Sequence, residues 1–251
     1  MAATNQEGRQ SPQQIASWAS LAGFLLIGAG VVVLGFLAQH APSGGGGAAT
    51  GGQLASHGKA IQIYVTVGLM DWALLYYCWA AVHHRGGNLR TLSGGRWSSW
   101  KDLGVDVAIA LPFWVLWEAT AYGAHWLLSL SSIGSGTART VDSLLPQSPL
   151  EVLVWIGVSI TAGICEEMAF RGFLQRQLHA LSGSIVVAVL GQGLVFGLFH
   201  AYQGWRNVAV ISVLGALYGA LAAWRGNLRA NILTHAWGDV WEGWLKFVIW
   251  R

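Results

Sequence analysis

Long apolar runs set the pattern of this chain, and polar side chains interrupt them at a few regular spacings. A membrane-spanning helix needs about 20 apolar residues. Seven stretches meet that length or approach it: Ile15–Ala38, Ile61–Val82, Leu103–Leu130, Leu150–Leu174, Ile185–His200, Val208–Trp224 and Ala230–Ile249. The expected fold is all-α, a polytopic bundle of about seven transmembrane helices. The first stretch is read as a retained anchor, because it is longer than a signal-peptide core and "FLAQHAP" offers no small-x-small cleavage site. Between the first two stretches, "HAPSGGGGAATGGQLASHGK" is a Gly/Ser/Ala-rich linker with no means of packing a core. "RWSSWKDLGVD" (96–106) reads either as an interfacial helix leading into the third span or as a plain connector.

Composition agrees. Of 251 residues, 54% are hydrophobic and 10% charged, against about 25% charged in a soluble domain; mean hydropathy is +0.48. Fifteen tryptophans suit a protein with two membrane–water interfaces. A net charge of +3 is too small and too scattered for a nucleic-acid partner. Cys78 and Cys165 lie in apolar runs, which argues against a structural disulfide or a thiol metal cluster.

Lys and Arg in short loops set orientation. With the loop bearing Arg85, Arg90, Arg96 and Lys101 in the cytoplasm, Arg9, Arg171, Arg176, Arg225 and Arg229 fall on or towards that side. Lys59, Arg139, Arg206, Lys246 and Arg251 fall opposite, a bias of nine against five. The expectation is an integral protein of a bacterial plasma membrane with a cytoplasmic N-terminus. Its parts are a tail (1–14), N-terminal scaffold helices (15–148) and a reactive core (149–251).

That division rests on ionisable residues, which are rare inside spans and are functional candidates there. In "CEEMAFRGF" (165–173), residues four apart share a helix face, so Glu167 meets Arg171. Glu166 lies about 100° away around the axis and has no local partner. "FGLFH" supplies Phe196 and His200, while "NILTHAWGD" aligns Asn231, His235 and Asp239 in one stripe. At about 1.5 Å per residue, Glu166 lies roughly 18 Å from a helix end near Leu178. By the same rise, His235 and Asp239 lie roughly 9 and 15 Å from Arg229, and His200 roughly 24 Å from Ser184, the poorest match. The pairs Gly193/Gly197 and Gly215/Gly219 fit the G-x-x-x-G spacing that lets helices approach closely. Glu118 and Asp71 are further intramembrane acids: Asp71 can equally face a neighbouring tryptophan or water, and Glu118 could line the cavity beside Glu166 but has no identifiable partner in the sequence.

E-E-x-x-x-R at 166–171, F-x-x-x-H at 196–200 and H-x-x-x-D at 235–239 follow one another on successive helices. In this order they resemble the CPBP family: type II CAAX prenyl proteases and bacterial relatives linked to bacteriocin processing and self-immunity. "FRGFL" after the glutamates also resembles that family, and the likeness covers about Leu150–Asp239. It implies an intramembrane endopeptidase of glutamic or metallo type, acting on membrane-anchored or lipid-modified peptides. Carried over, Glu166 would activate water with His200 placing it, and Glu167 and Arg171 would brace the site. His235 and Asp239 would stabilise the oxyanion or hold a metal. The family's last motif often ends in Asn where this chain has Asp239.

Elementary chemistry suits these roles, since peptide hydrolysis needs a base for water and preorganised groups for the tetrahedral oxyanion. His200, His235 and Asp239 would equally satisfy a divalent ion such as zinc with one open position. The sequence leaves both mechanisms open. Two other classes stay in view: a non-proteolytic scaffold or bacteriocin self-immunity factor on the same fold, and an ion or proton transporter using Glu118 and Asp71.

Overall fold

The computed structural model describes residues 14–40, 52–130 and 145–249. Among them every regular element is helical: α1 (Trp18–His40), α2 (Gly52–His83), α3 (Leu89–Ser93), α4 (Trp100–Ser129), α5 (Pro149–Glu166), a π-helical segment (Glu167–Leu174), α6 (Gln175–Ser182), α7 (Ile185–Phe199), a 3-10 turn (Ala201–Gln203), α8 (Trp205–Arg225) and α9 (Arg229–Ile249). The N-terminal tail and most of the Gly-rich linker lie outside the described residues.

Each expected span coincides with a helix. Among the described residues, four helices are long and apolar enough to cross a membrane: Lys59–His83, Trp100–Ser129, Pro149–Ser182 and Trp205–Arg225. Trp18–Leu34 and Ile185–Phe199 are apolar but shorter. In α9, Asp239 and Glu242 break the apolar run.

Local chemistry explains the boundaries. Ser99, Ser148 and Ser184 cap α4, α5 and α7 by accepting from Asp102 N, Glu151 N and Val187 N. Residues 96–99 therefore lead directly into one helix starting at Trp100, with no separate interfacial helix. Short α3 is held by a capping box between Asn88 and Thr91. At Gly183, φ of +67° ends α6 in a left-handed turn that favours glycine.

The core joins both halves of the chain. Phe24 of α1, Cys78 and Val82 of α2, Leu92 of α3, Phe170 and Phe173 of the π segment and Phe196 of α7 are buried together. Phe24 packs edge-on to Phe170 at 5.5 Å and stacks on Phe173 at 5.7 Å. The phenylalanines of "FRGFL" are thus packing residues. Gln177, fully buried, accepts from Ile15 N and Ala16 N and donates to Ala16 O, fastening the start of α1 to α6.

Glycine brings α7 and α8 together. A Cβ on Gly193 would lie 2.8 Å from Ala216 N and Ser212 O, and one on Gly215 would lie 3.1 Å from Gly193 Cα. Both G-x-x-x-G pairs therefore serve close helix approach.

At one end of the bundle, Asp106 of α4 is fully buried. It ion-pairs with Arg225 at 2.8 Å and Arg229 at 2.9 Å and accepts from Trp97 Nε1 at 3.0 Å. This anion ties the end of α8 and the start of α9 to α4. Arg176 donates to Thr91 O, and Leu228 N to Ser93 O, which seats α3 on the same end.

Candidate active site

The site forms where the long α5 helix changes its winding. From Glu167 to Leu174 the backbone is π-helical, with Gln175 N bonding Phe170 O in the i→i+5 pattern. Such segments often mark functional sites. Across this wider turn Glu167 and Arg171 still meet, with Arg171 Nη1 donating to Glu167 Oε1 at 2.9 Å. Both side chains have no solvent exposure. Arg171 belongs to this buried pair, which corrects its place among the loop charges that set orientation.

Glu167 is fully engaged. Its Oε1 also accepts from His235 Nδ1 at 2.9 Å, and its Oε2 accepts from Asn231 Nδ2 at 3.1 Å. Arg171 Nη2 donates to Gly215 O at 3.1 Å, and the guanidinium lies over the rings of Phe196 (4.4 Å) and Tyr218 (5.1 Å). Asn231 Nδ2 bonds Tyr218 O as well, at 2.8 Å. A buried charge pair is tolerable when most of its remaining donors and acceptors are bonded in this way; Arg171 Nε is buried without a hydrogen-bond partner among the described residues.

Glu166 differs from its neighbour. Its side chain keeps 14% exposure, and its Oε2 lies 3.7 Å from His235 Nε2. Asp239 Oδ2 also lies 3.7 Å from the same nitrogen, with 35% side-chain exposure. Both gaps exceed the usual 2.7–3.2 Å of a hydrogen bond. His235 is therefore held through Nδ1 by Glu167, while Nε2 faces two carboxylates at a distance that leaves room for a reacting group. The ring is steadied by Tyr218, stacked at 5.4 Å, and by the edge of Phe196 at 6.2 Å.

His200 follows the last residue of α7, its Nδ1 bonded to Phe196 O at 2.9 Å. Among the described residues no hydrogen bond or ion pair joins it to Glu166, His235 or Asp239. It nonetheless flanks the same ring, 4.8 Å from Phe196. Tyr202 stacks on it at 6.0 Å and lies in the field of Glu166 and Asp239. The expected depth mismatch disappears, because α6 continues past Leu178 to Ser182. At about 1.5 Å per residue, Glu166 and His200 both lie roughly 24 Å from the Gly183 turn.

Of the two further acids, Glu118 accepts from Trp114 Nε1 at 3.1 Å and has that indole for a partner. Asp71 of α2 is 8% exposed and lies within electrostatic reach of Glu166, His235 and Asp239. Asn231 and Tyr218 complete the surroundings. Asn231 was visible in the polar stripe, but nothing in the sequence singles out Tyr218. Among the described residues no group of three or more His, Cys, Asp or Glu side chains is disposed to hold a metal ion. Cys78 and Cys165 are free and buried.

Residues 148–241 match the family described as Type II CAAX prenyl endopeptidase Rce1-like. This span runs from the cap of α5 into α9 and holds Glu166, Glu167, Arg171, His200, His235 and Asp239. The family that the three motifs resemble is thus the family matched over this segment. With helices apolar enough to cross a membrane, it points to an integral membrane protein and a CAAX-type intramembrane protease. No curated protein and no solved structure matches the chain.

Proposed function

We propose that this chain is an intramembrane endopeptidase that hydrolyses a peptide bond in a membrane-anchored or lipid-modified substrate, with Glu166 as general base. One observation carries the reading: of two adjacent glutamates, Glu167 is saturated by Arg171, Asn231 and His235, while Glu166 is left partly exposed beside His235 Nε2.

Glu166 takes a proton from water, and the resulting hydroxide oxygen attacks the carbonyl carbon. Negative charge moves to the carbonyl oxygen, which accepts hydrogen bonds from Nε2–H of a protonated His235 and from Asp239 in its protonated form. The C–N bond then breaks, Glu166 returns the proton to the amine nitrogen, and an acid and an amine leave. Glu167 and Arg171 act as positioning residues, fixing the imidazole so that no reorganisation is needed during reaction. His200, which also packs against the Phe196 ring, places the water.

No step passes through a metal. In the metallo alternative His235 would ligate through Nε2, with Nδ1 held by Glu167. Bound zinc in protein purified without chelator should be substoichiometric; stoichiometric zinc lost in His235→Ala would favour the metallo alternative.

In the bilayer, α1, α7 and α9 complete seven spans with the four longer crossings. The end carrying Arg225, Arg229 and α3 faces the cytoplasm of a bacterial plasma membrane. Residues 15–148 act as scaffold and 149–251 as catalytic core. The test compares membrane peptides in cells carrying the native chain and the Glu166→Gln chain. Peptides shortened only by the native chain are expected; identical profiles with a processed substrate present in both would overturn the assignment.

A further inference from the structure

Asp71 is a buried acid near the site that neither the motifs nor the matched segment includes. It sits on α2, which packs along α5; Gly68, one helical turn earlier, faces Val158 and Thr161. Its side chain is more than nine-tenths buried, and Oδ2 has no hydrogen-bond partner. The charged and titratable groups around it are Glu166 and Cys165 of α5, His235 and Asp239 of α9, and Tyr202 of the 3-10 turn.

A buried acceptor without a donor carries a desolvation penalty of about 1–3 kcal/mol. Nothing in the packing core explains why α2 keeps a carboxylate here. A peptide held open for hydrolysis within a bilayer has the complementary need. Around the scissile bond it must leave its helix, and its backbone N–H groups then have no water to bond. The other nearby carboxylates are occupied or reserved: Glu167 by three donors, and Glu166 and Asp239 for the chemistry around His235 Nε2.

We propose that Asp71 is a substrate-binding residue of this site, accepting a hydrogen bond from a backbone N–H of the unwound peptide beside the scissile bond. The assignment rests on the proteolytic reading for the identity of its ligand, and on the α2–α5 packing for its place. The substrate strand then lies between α2 and the Glu166–His235 wall, and a helix outside the matched segment helps to select an extended peptide. An Asn side chain retains an acceptor oxygen there, whereas Leu does not.

The test uses the full chain in nanodiscs and a fluorogenic farnesylated peptide ending in a CAAX sequence. Two further peptides carry N-methyl groups, each on one amide flanking the scissile bond. Asp71→Leu should raise KM by about tenfold, the worth of one buried hydrogen bond, with kcat within a few-fold of native. Asp71→Asn should restore most of the KM. One N-methylated peptide should lose the same factor with the native chain and nothing more with Asp71→Leu. A folded Asp71→Leu chain with native KM would overturn the proposal, as would equal losses on both backgrounds. If Asp71→Leu does not fold, native KM for both N-methylated peptides overturns it, and a tenfold loss for one, reduced in Asp71→Asn, supports it. Binding of the labelled parent peptide to Glu166→Gln protein, by fluorescence anisotropy, separates the two readings. Binding that weakens when Asp71→Leu is added supports Asp71 as a peptide ligand even if the native chain does not cleave. Binding that is absent, or indifferent to Asp71, overturns it.

Discussion

Glu167 Oε1 accepts at 2.9 Å from both Arg171 Nη1 and His235 Nδ1. One oxygen thereby joins the π segment to α9 and leaves His235 Nε2 facing Glu166 and Asp239. The ion pair and the polar stripe are one unit, and mutations within it will not act additively.

Breaking that unit is costly. Arg171→Ala leaves Glu167 buried and unpaired and should destabilise the protein by about 3–5 kcal/mol. Thermal unfolding in detergent should show the loss, and a native-like melting temperature would contradict it. Arg171→Lys should be intermediate, since a lysine cannot serve Glu167 and Gly215 O with the planar fork seen here.

Asp239→Asn restores the residue common at this place in the resembled family. If Asp239 supports the oxyanion by hydrogen bonding, the variant should keep kcat/KM within about tenfold of native, about 1.4 kcal/mol. A loss of several orders of magnitude, with folding intact, would show that the carboxylate itself is required.

The α7–α8 contact tolerates no side chain at Gly193. Gly193→Val places methyl groups against the Ala216 and Ser212 backbone and should cost about 1–3 kcal/mol through overpacking. Because Phe196 and His200 continue the same helix, turnover should fall as well. An unchanged melting temperature would refute so close an approach.

Gln177→Leu removes the donors and acceptors that hold Ile15 and Ala16. The buried N–H of Ala16 and the part-buried N–H of Ile15 lose their partner, so a destabilisation of about 1–3 kcal/mol is expected. Hydrogen exchange should quicken first at the start of α1. Uniform quickening across the bundle would contradict a local role.

Much of this was legible in the apolar runs and in i,i+4 spacing, because both are local. The helices lie where the runs predicted them, and Glu167 pairs with Arg171 because that contact lies within one turn. Other features depend on tertiary packing. The π segment has no marker in "EMAFRGF", and the helix runs past Leu178 because a polar stretch, "QRQLHALS", continues it beyond the apolar run. Tyr218 and Asp71 reach the site from α8 and α2, and no spacing along the chain relates them to Glu166. Among the described residues length and apolarity alone single out four crossings, and α9 is not one of them because the site's own acids interrupt its apolar run.

The central claim is that two adjacent glutamates divide chemistry from bracing. Parallel measurement of turnover and melting temperature for Glu166→Gln and Glu167→Gln tests it most directly, with the farnesylated CAAX peptide as substrate. Glu166→Gln should melt like the native chain and lose at least 10²–10⁴-fold in kcat, the range for removing a general base. Glu167→Gln should lower the melting temperature and lose activity with it. Native turnover by a folded Glu166→Gln chain, or the same pattern in both variants, would contradict the claim.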